Sequence, residues 1–456
     1  MKKLGIVLMI IGLIGILYFG NAIDSVKVSL QMYPMSVEPP SEKISPLLKE
    51  KMKEMKEVPV VVELTAPTDM AIAQQQLVIS QLSMIGFKPT LQIFGVGNEI
   101  AGTIPSNKVE ELASNPYVKR VLYDGFFFKA FGNYSTPREA MAQALRQIHA
   151  LGLPYTGKGV TVIVIDSGID SHHPWIRGHV VEVYKTCPCP AGRNWTMPHG
   201  THVAGIILAV APDVKLVNIV ALGSNGEARL SWILKALDIA YHLADKYKPC
   251  LCSCSWGAYP ENTPEMDAVR DAVARLEKVM PVVFAAGNFG APKTIACPAD
   301  VDDVITVGAV DSTNHIAWFS SRGPDTYGKE HMEPDVVAPG VGIVSAKAGG
   351  GVIAMSGTSM ACPFVSGVVA LMLQKNPNLT NEDCLKILEK TAKDLGPKGF
   401  DYTYGYGLVQ ADKALGIVTQ EPIVVKTSSG SIGEGLSILL LLIGGILFVR
   451  GVEHGS

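Results

Sequence analysis

Residues 161–170 read Thr-Val-Ile-Val-Ile-Asp-Ser-Gly-Ile-Asp, so that five β-prone residues end at the carboxylate of Asp166 and a turn follows. A run as apolar as this one is typical of a strand that is buried on both faces of a parallel sheet. Open α/β folds build their sites at the carboxyl ends of such strands. Asp166 is therefore a candidate site residue.

Further apolar runs of the same kind are separated by long helical segments, and they lie at 216–221, 250–255, 282–286 and 304–310. Strands that alternate with helices predict an α/β domain of three layers, in which a mainly parallel sheet is covered by helices on both faces. A smaller α+β module precedes this domain. Its pattern is a strand at 58–66, a helix at 69–86, strand material at 90–103, a short helix at 107–114 and a strand at 117–123.

The composition excludes several classes of protein. The 456 residues include 39 Lys and Arg against 42 Asp and Glu, which gives a net charge of −3, and 48% are hydrophobic. Such a chain is too apolar and too weakly charged for a disordered protein. Because it has no long basic run to neutralise phosphates, we expect no nucleic-acid partner.

Three further motifs carry chemistry. A histidine, His199, opens an apolar helix in Pro198-His199-Gly200-Thr201-His202. The buried run 282–290 breaks into Asn288, which has glycine before it. Ser359, in Gly357-Thr358-Ser359-Met360-Ala361, lies at the N-terminus of a predicted helix, where backbone N–H groups have no intrahelical partner.

Together these residues fit nucleophilic catalysis. A serine is a weak nucleophile, so it needs a histidine to take its proton, an acid to orient that histidine, and donors for the developing oxyanion. Ser359, His199 and Asp166 are candidates for the first three roles, and the Asn288 amide with the Ser359 backbone N–H for the oxyanion hole. The chain order Asp, His, Ser differs from that of the α/β-hydrolases.

On these motifs the sequence resembles the subtilisin-like serine proteases, or subtilases, over residues 58–415, in the form that carries an inhibitor-type propeptide. The resemblance implies the subtilisin-like three-layer fold and endopeptidase activity through an acyl-enzyme intermediate. It also implies a cleft in which extended peptide pairs with one wall. Such backbone pairing gives affinity with little demand on the sequence of the peptide. The implied substrate-binding residues are Ser255, Trp256 and Gly257 on that wall, and Ala285, Ala286 and Gly287 on the opposite wall of the pocket for the P1 residue, which precedes the cleaved bond.

Phe289 bears on the expected specificity. Many relatives carry a polar or acidic residue at this position, and the wall segments contain no evident carboxylate. We therefore expect apolar or aromatic P1 residues to be favoured over basic ones.

The resemblance also divides the chain. Residues 58–124 are expected to form a ferredoxin-like propeptide that templates folding and then inhibits, and 138–415 the catalytic domain. The aromatic segment between them, 125–137, is the predicted processing site, with cleavage between Gly125 and Pro137 and most simply after Phe131. Residues 23–57 and 416–435 are interpreted as linkers.

Both ends of the chain carry targeting signals. Lys2 and Lys3 precede an apolar run that ends before Gly20-Asn21-Ala22, so 1–22 is interpreted as a signal peptide, with an uncleaved N-terminal anchor as the alternative. Residues 436–450, apolar up to Arg450, are interpreted as a C-terminal membrane anchor or sorting signal, with a tail docked on the domain as the alternative. The protein is therefore expected outside the cell or at its surface.

No cofactor is predicted. The segment 210–215 directly follows the helix opened by His199, so the longer loop that binds a strong calcium ion in many relatives is absent, while weaker calcium sites stay open. The C-x-C spacings at Cys187 and at Cys250 do not match zinc ligands, and His202 is expected to be a packed helix residue. Export permits disulfides among the eight cysteines.

Two other functions are compatible with parts of this pattern. One is a catalytically silent, surface-tethered module of the same fold that binds peptides. The other is a metallohydrolase that uses His199 and His202. The expected partners are protein or peptide substrates, the chain's own propeptide and the membrane, and the expected oligomeric state is a monomer.

Overall fold

The computed structural model describes residues 35–130, 141–188, 197–324 and 332–417. Within these ranges the chain up to residue 130 forms a small N-terminal domain and the strand that leaves it. The remainder forms a larger α/β domain.

The N-terminal domain is the α+β module predicted from the sequence pattern, with the ferredoxin-like arrangement that the resemblance implies. Its described strands form an antiparallel sheet in the order β2-β3-β1-β4. They are β1 Glu57–Leu64, β2 Lys88–Ile93, β3 Glu99–Pro105 and β4 Val118–Tyr123, and helices α3 Ala71–Ser83 and α4 Val109–Ala113 connect them. Val60 and Val62 of β1 are fully buried in the core of this domain together with Val78 of α3.

The interpretation of residues 23–57 as a linker is wrong for the described part, from residue 35 onward. Helices α1 Pro40–Lys43 and α2 Pro46–Glu54 lie there, and β1 already begins at Glu57. Ser45 caps α2, because its hydroxyl accepts the Leu48 N–H at 3.2 Å, and Leu48 is fully buried in the domain core. The Ser45-Pro46 pair is a helix-start signal, which identifies this helix in the sequence.

The larger domain confirms the three-layer α/β prediction. Among the described residues its main sheet has seven parallel strands in the order β14-β13-β12-β10-β6-β8-β7. The bounds are β6 Thr161–Asp166, β7 Val180–Lys185, β8 Lys215–Val220, β10 Cys250–Cys254, β12 Val282–Ala285, β13 Ile305–Val310 and β14 Val336–Pro339.

The two faces of this sheet carry separate cores. Along β6, Val162 and Val164 belong to one core and Ile163 and Ile165 to the other, as the period of two requires. Helices α6 His199–Val210 and α9 Thr358–Lys375 pack in the first core, and α7 Leu230–Tyr247 and α8 Pro264–Leu276 in the second. Continuous apolar strands follow from this double burial.

The remaining described elements are short. They are helices α5 Met141–Gln147, α10 Asn381–Thr391 and α11 Ala411–Ala414, the 3₁₀ turns Thr68–Met70 and Ser106–Lys108, the hairpin of β15 Ile343–Ala346 with β16 Val352–Met355, and the strands β5 Phe126–Ala130, β9 Glu227–Arg229 and β11 Trp256–Gly257.

The cysteines fall into two groups. Cys250, Cys252 and Cys254 are free and buried in the second core, so they point to one face of β10 as predicted. Cys187 is disulfide-bonded. Among the described residues no group of three or more His, Cys, Asp or Glu side chains is arranged to hold a metal ion.

In the described ranges, no helix has the length and hydropathy of a membrane span. The segments 1–22 and 436–450 lie outside the described residues, as does the boundary at 138. Their interpretations stay predictions.

Candidate active site

Asp166 and His199 form a hydrogen-bonded pair at the carboxyl edge of the sheet. The His199 Nδ1 atom lies 2.9 Å from Asp166 Oδ1 and 3.1 Å from Oδ2, and both side chains are fully buried. The carboxylate also accepts the Ser167 N–H at 2.6 Å. Because Nδ1 is committed to Asp166, Nε2 is the ring nitrogen that remains, and it has no hydrogen-bond partner within the described part of the chain.

The start of helix α6 fits closely over this pair. A Cβ at Gly200 would lie 2.5 Å from the Gly168 carbonyl oxygen and 2.9 Å from Asp166 Oδ1, so only glycine allows the helix to approach the strand end. The Gly200 N–H donates to the Ser167 hydroxyl at 3.1 Å. Residue 200 thereby sets the position of His199 above Asp166.

Ser359 lies at the N-terminus of helix α9 and is hydrogen-bonded to Ser255, the residue that follows strand β10. Its hydroxyl donates to the Ser255 carbonyl at 2.8 Å, and the Ser255 hydroxyl donates to the Ser359 carbonyl at 3.0 Å. Strands β6 and β10 pair with Ile165 opposite Cys254. Asp166 and Ser255 are therefore the next residues of two adjacent strands, and this brings Ser359 to the same edge as the Asp166–His199 pair.

Asn288 follows β12 at this edge and is fixed by Thr358. Its Oδ1 atom accepts the Thr358 N–H at 2.9 Å and the Thr358 hydroxyl at 2.9 Å. A backbone N–H can only donate, so Oδ1 is the acceptor and the Nδ2 amide is left on the other side of the side chain. The amide donor is thus oriented by the residue that precedes Ser359.

Residues 285–287, the predicted opposite wall of the P1 pocket, are held by backbone geometry. Gly287 has a φ of +107°, which disfavours any side chain, and a Cβ there would lie 2.9 Å from the Ser321 hydroxyl. The Ala286 N–H donates to the Val307 carbonyl at 3.0 Å, and its carbonyl accepts the Ala296 N–H at 2.8 Å. Ala285 and Ala286 are fully buried. These residues give the strand end a fixed shape.

The aromatic segment that follows the N-terminal domain occupies the groove between strands β9 and β11 of the α/β domain. Strand β5 pairs antiparallel with β11 on one side, with Ala130 opposite Trp256 and Lys129 opposite Gly257, and with β9 on the other. The buried Phe128 ring makes a T-shaped contact with Trp256, at 5.7 Å between ring centroids. Sequence periodicity indicated no strand here, because residues 126–130 read Phe-Phe-Phe-Lys-Ala and apolar and polar residues do not alternate along them.

The N-terminal domain also forms hydrogen bonds with the N-termini of two helices of the α/β domain. Asp124, directly before β5, accepts the Ser231 N–H at 2.9 Å and the Ser231 hydroxyl at 2.7 Å in the first turn of α7. Glu265 in the first turn of α8 accepts the Ser45 hydroxyl at 2.6 Å and the Tyr123 N–H at 3.2 Å. Burial raises the pKa of the Asp124 carboxyl, and the two hydrogen bonds from Ser231 oppose that rise.

His202 is a packed helix residue, as the sequence suggested. Its Nε2 atom lies 3.0 Å from the Ile343 carbonyl and 3.1 Å from the Ile353 carbonyl, so Nε2 donates. Burial, and then the nearby His199, lower the pKa of His202 to about 3. His202 is therefore neutral at physiological pH.

The sequence alone did not identify three contributors to the site: Thr358, Asp124 and the strand β9. Thr358 lies inside the quoted serine motif, so its position was visible although its role in orienting Asn288 was not. Asp124 and β9 act only through contacts with distant segments, for which the sequence gives no local signal.

The comparisons agree with this architecture. The sequence model of the subtilase family matches residues 157–407. Subtilisin E from Bacillus subtilis (strain 168) is 36% identical over 329 residues, which cover 70% of this chain and 80% of that protein. Serine protease AprX from the same strain is 33% identical over 322 residues, covering 60% and 70% of the two chains.

A solved structure shares the fold. The crystal structure of fervidolysin from Fervidobacterium pennivorans, described as a keratinolytic enzyme related to subtilisin, matches with a TM-score of 0.63 and 24% identity, over 79% of this chain and 61% of that chain. Sheet, helices and sequence relatives together define a serine endopeptidase, which hydrolyses peptide bonds in protein substrates. The chain belongs to the subtilase family.

Proposed function

We propose that this chain is an exported zymogen of a serine endopeptidase that cleaves itself and then acts on extended segments of other proteins, with Asp166, His199 and Ser359 as its triad. The observation that carries the proposal is strand β5, which lies between β9 and β11 as an added strand. An extended peptide that binds a sheet edge in this way is held by main-chain hydrogen bonds.

The triad roles follow from the contacts of each residue. Asp166 holds His199 through Nδ1, so Nε2 takes the Ser359 proton as the hydroxyl attacks the substrate carbonyl carbon. The oxyanion is stabilised by the Asn288 Nδ2 amide and the Ser359 backbone N–H. His199 then gives the proton to the leaving amine, and a water molecule releases the acyl group by the reverse proton transfers. Before attack, the Ser359 hydroxyl leaves the Ser255 carbonyl, to which it donates in the structure.

The register of β5 supports a cleavage site after Phe131. Phe131 itself lies outside the described residues. Ala130 is paired with Trp256, so an antiparallel strand that kept this register would bring its next residue opposite Ser255, the hydrogen-bond partner of Ser359. The P1 residue is then Phe131, and Phe128 is the P4 residue, three positions before it.

An aromatic rim supports the preference for apolar or aromatic P1 residues. The Phe289 ring, next to Asn288, packs edge-on against Tyr259 with 5.0 Å between ring centroids. No Asp or Glu lies in the wall residues 285–289 to pair with a basic side chain. A peptide panel that varies only P1 tests this, and preferential cleavage after Lys or Arg would contradict it.

The inhibitory role of the N-terminal domain is supported by its attachment at several points. Besides the contacts of Asp124 and Glu265, the Gly95 N–H donates to Asp238 of α7 at 2.6 Å, and Arg275 of α8 donates to the Val96 carbonyl at 2.6 Å. A domain held on two helices keeps β5 in the groove. Export through 1–22 and membrane attachment through 436–450 complete the proposal from the sequence.

The decisive experiment compares the full-length chain as wild type, Ser359→Ala and Ser366→Ala, followed by intact mass and by labelling with a fluorophosphonate. Ser366 is a matched control, because it is a buried serine on the same helix whose hydroxyl lies 2.8 Å from that of Ser253. We expect the wild type and Ser366→Ala to split between residues 125 and 137 and to label. Ser359→Ala should do neither. A folded wild type that neither splits nor labels would refute the protease mechanism and favour a silent peptide-binding module.

A further inference from the structure

We infer that the mature enzyme has an additional subsite, formed by Arg229 and Trp232, which binds an aromatic side chain at P6, the sixth residue before the cleaved bond. The inference rests on the proposed function, because it treats β5 as a stand-in for substrate and counts from Phe131. On that count Phe126 is the P6 residue. It deepens the proposal by naming a class of preferred substrates.

Two side chains of the α/β domain hold the Phe126 ring. The Arg229 guanidinium carbon lies 4.4 Å from the ring centroid, which is cation–π geometry. The Trp232 ring is 5.6 Å away at an interplanar angle of 88°, an edge-to-face contact. Phe126 keeps 51% of its surface exposed, so the subsite is an open clamp rather than a closed pocket.

The main chain fixes this contact. Phe126 pairs with Arg229, and the Leu230 N–H donates to the Gly125 carbonyl at 3.1 Å. The register shifts between Phe126 and Phe128, so Phe128 pairs with the next residue of β9, Ala228. Successive residues of a strand face opposite ways, so this shift sends Phe128 with Ala228 into the core and Phe126 with Arg229 to the other face.

Substrate main chain can reproduce the contact that positions Arg229. The Arg229 Nη1 atom donates to the Asp124 carbonyl at 3.0 Å, and an extended peptide long enough to reach this point supplies a carbonyl there. The aromatic contacts, in contrast, depend on the side chain at P6. The position therefore discriminates between substrates, while the rest of the strand binds with little regard to sequence.

The neighbouring residue provides a positional control. The Phe127 ring contacts Tyr123 of the N-terminal domain, at 6.3 Å between centroids, and that partner leaves with the domain. An aromatic residue at P5 should therefore gain less than one at P6.

The expected effect is a preference of about threefold to tenfold in kcat/KM for Phe over Ala at P6, from one half-exposed cation–π contact and one aromatic pair. The gain should appear mainly in KM, because P6 is remote from the reacting atoms and binds ground and transition states alike.

The test uses the mature wild-type enzyme, released from the full chain by its own cleavage, and quenched peptides with Phe at P1 and P4. One set carries Phe, cyclohexylalanine or Ala at P6, and another carries Phe at P5 with Ala at P6. Mass spectrometry locates the cleaved bond in each peptide. We expect Phe to exceed cyclohexylalanine and Ala at P6, since cyclohexylalanine has the bulk of Phe without its π face.

Enzyme variants then assign the subsite. The ratio of kcat/KM for P6 Phe over P6 Ala should fall in Trp232→Ala and in Arg229→Ala, each of which removes one of the two ring contacts, and Trp232→Phe should retain most of it. Trp175→Ala removes a half-exposed tryptophan elsewhere and should keep the wild-type ratio. A wild-type ratio near one, or one unchanged in Trp232→Ala, would overturn the subsite while the protease function stood. Failure to cleave any peptide would instead overturn the proposed function, and the subsite with it.

Discussion

Glu99 is a buried carboxyl whose protonation should set how stability depends on pH. It lies opposite Glu63 in the pairing of β1 with β3, and it is only 8% exposed. Its Oε2 atom has no hydrogen-bond partner among the described residues. Burial first, and then the negative charges of Glu63 and Asp238, raise the pKa of Glu99 to about 8, although Arg275 and Arg120 act in the opposite direction.

The sign of the effect follows from proton binding. An unfolded Glu loses its proton near its ordinary pKa of 4.5, whereas the native Glu99 keeps it up to about 8. Between these values the native state binds more protons, so its free energy of unfolding falls as pH rises, by about 1.4 kcal/mol for each pH unit. The total loss in free energy of unfolding approaches about 5 kcal/mol by pH 8, and Glu99 causes no further loss above that pH.

The perturbation that isolates this term is Glu99→Gln, which keeps the shape and removes the titration. The variant should match the parent near pH 4.5. As pH rises and the parent loses stability, the free energy of unfolding of the variant should exceed that of the parent, by up to about 5 kcal/mol at pH 8.5. For a chain of this size, with an unfolding entropy of about 0.8 kcal/mol/K, that is about 6 °C in melting temperature.

The assay is thermal unfolding from pH 4.5 to 9 in the Ser359→Ala background, which prevents self-digestion. Glu110→Gln is the matched control, because Glu110 is an exposed Glu of the same domain. Its melting curves should follow the parent at every pH. If Glu99→Gln also ran parallel to the parent, or gained stability toward low pH instead, a neutral Glu99 in the native state would be refuted.

Three further substitutions test other contacts. Asn288→Ala should lower kcat by about 10²- to 10³-fold with KM little changed, the loss known for this donor in subtilisin itself, and an unchanged kcat would exclude the amide from the oxyanion hole. Asp300→Ala should cost about 1.5–3 kcal/mol in urea unfolding of the inactive protein, because it removes the 2.6 Å ion pair of buried Arg270, which keeps Asp267 at 3.2 Å and the Glu261 carbonyl as partners. A loss below about 0.5 kcal/mol would mean that these remaining partners compensate fully. Asp124→Ala should cost about 0.5–2 kcal/mol in the same assay, because it removes the hydrogen bonds to Ser231 at the start of α7, and an unchanged midpoint would show that they add no stability.

The buried strands were predictable because each is apolar on both faces. The edge strands Val180–Lys185 and Val336–Pro339 were not predicted. In Val180–Lys185 half-buried residues alternate with exposed ones, so the apolar run that marks a central strand is missing. Val336–Pro339 has only four residues, too few for a reliable period.

In the candidate site, too, some features were predicted from the sequence and others were missed. Asp166, His199, Asn288 and Ser359 were chosen from local context, and the structure brings them to one sheet edge through strand pairing and helix N-termini. The strand character of the aromatic segment was missed, since its three consecutive Phe residues show no alternation and its pairing with β9 is interrupted by a register shift.

The position of β5 has a consequence for how activity would be switched on. Under the proposed processing, β5 would compete with substrate for the groove at an effective concentration set by the chain itself, on the order of millimolar, as long as the peptide bond before the α/β domain was intact. After cleavage the same contacts would belong to an ordinary bimolecular complex, and occupancy would depend on the total concentration of the two pieces. Dilution outside the cell would then favour the open enzyme, whereas a high local concentration of the two pieces before release would favour the closed complex.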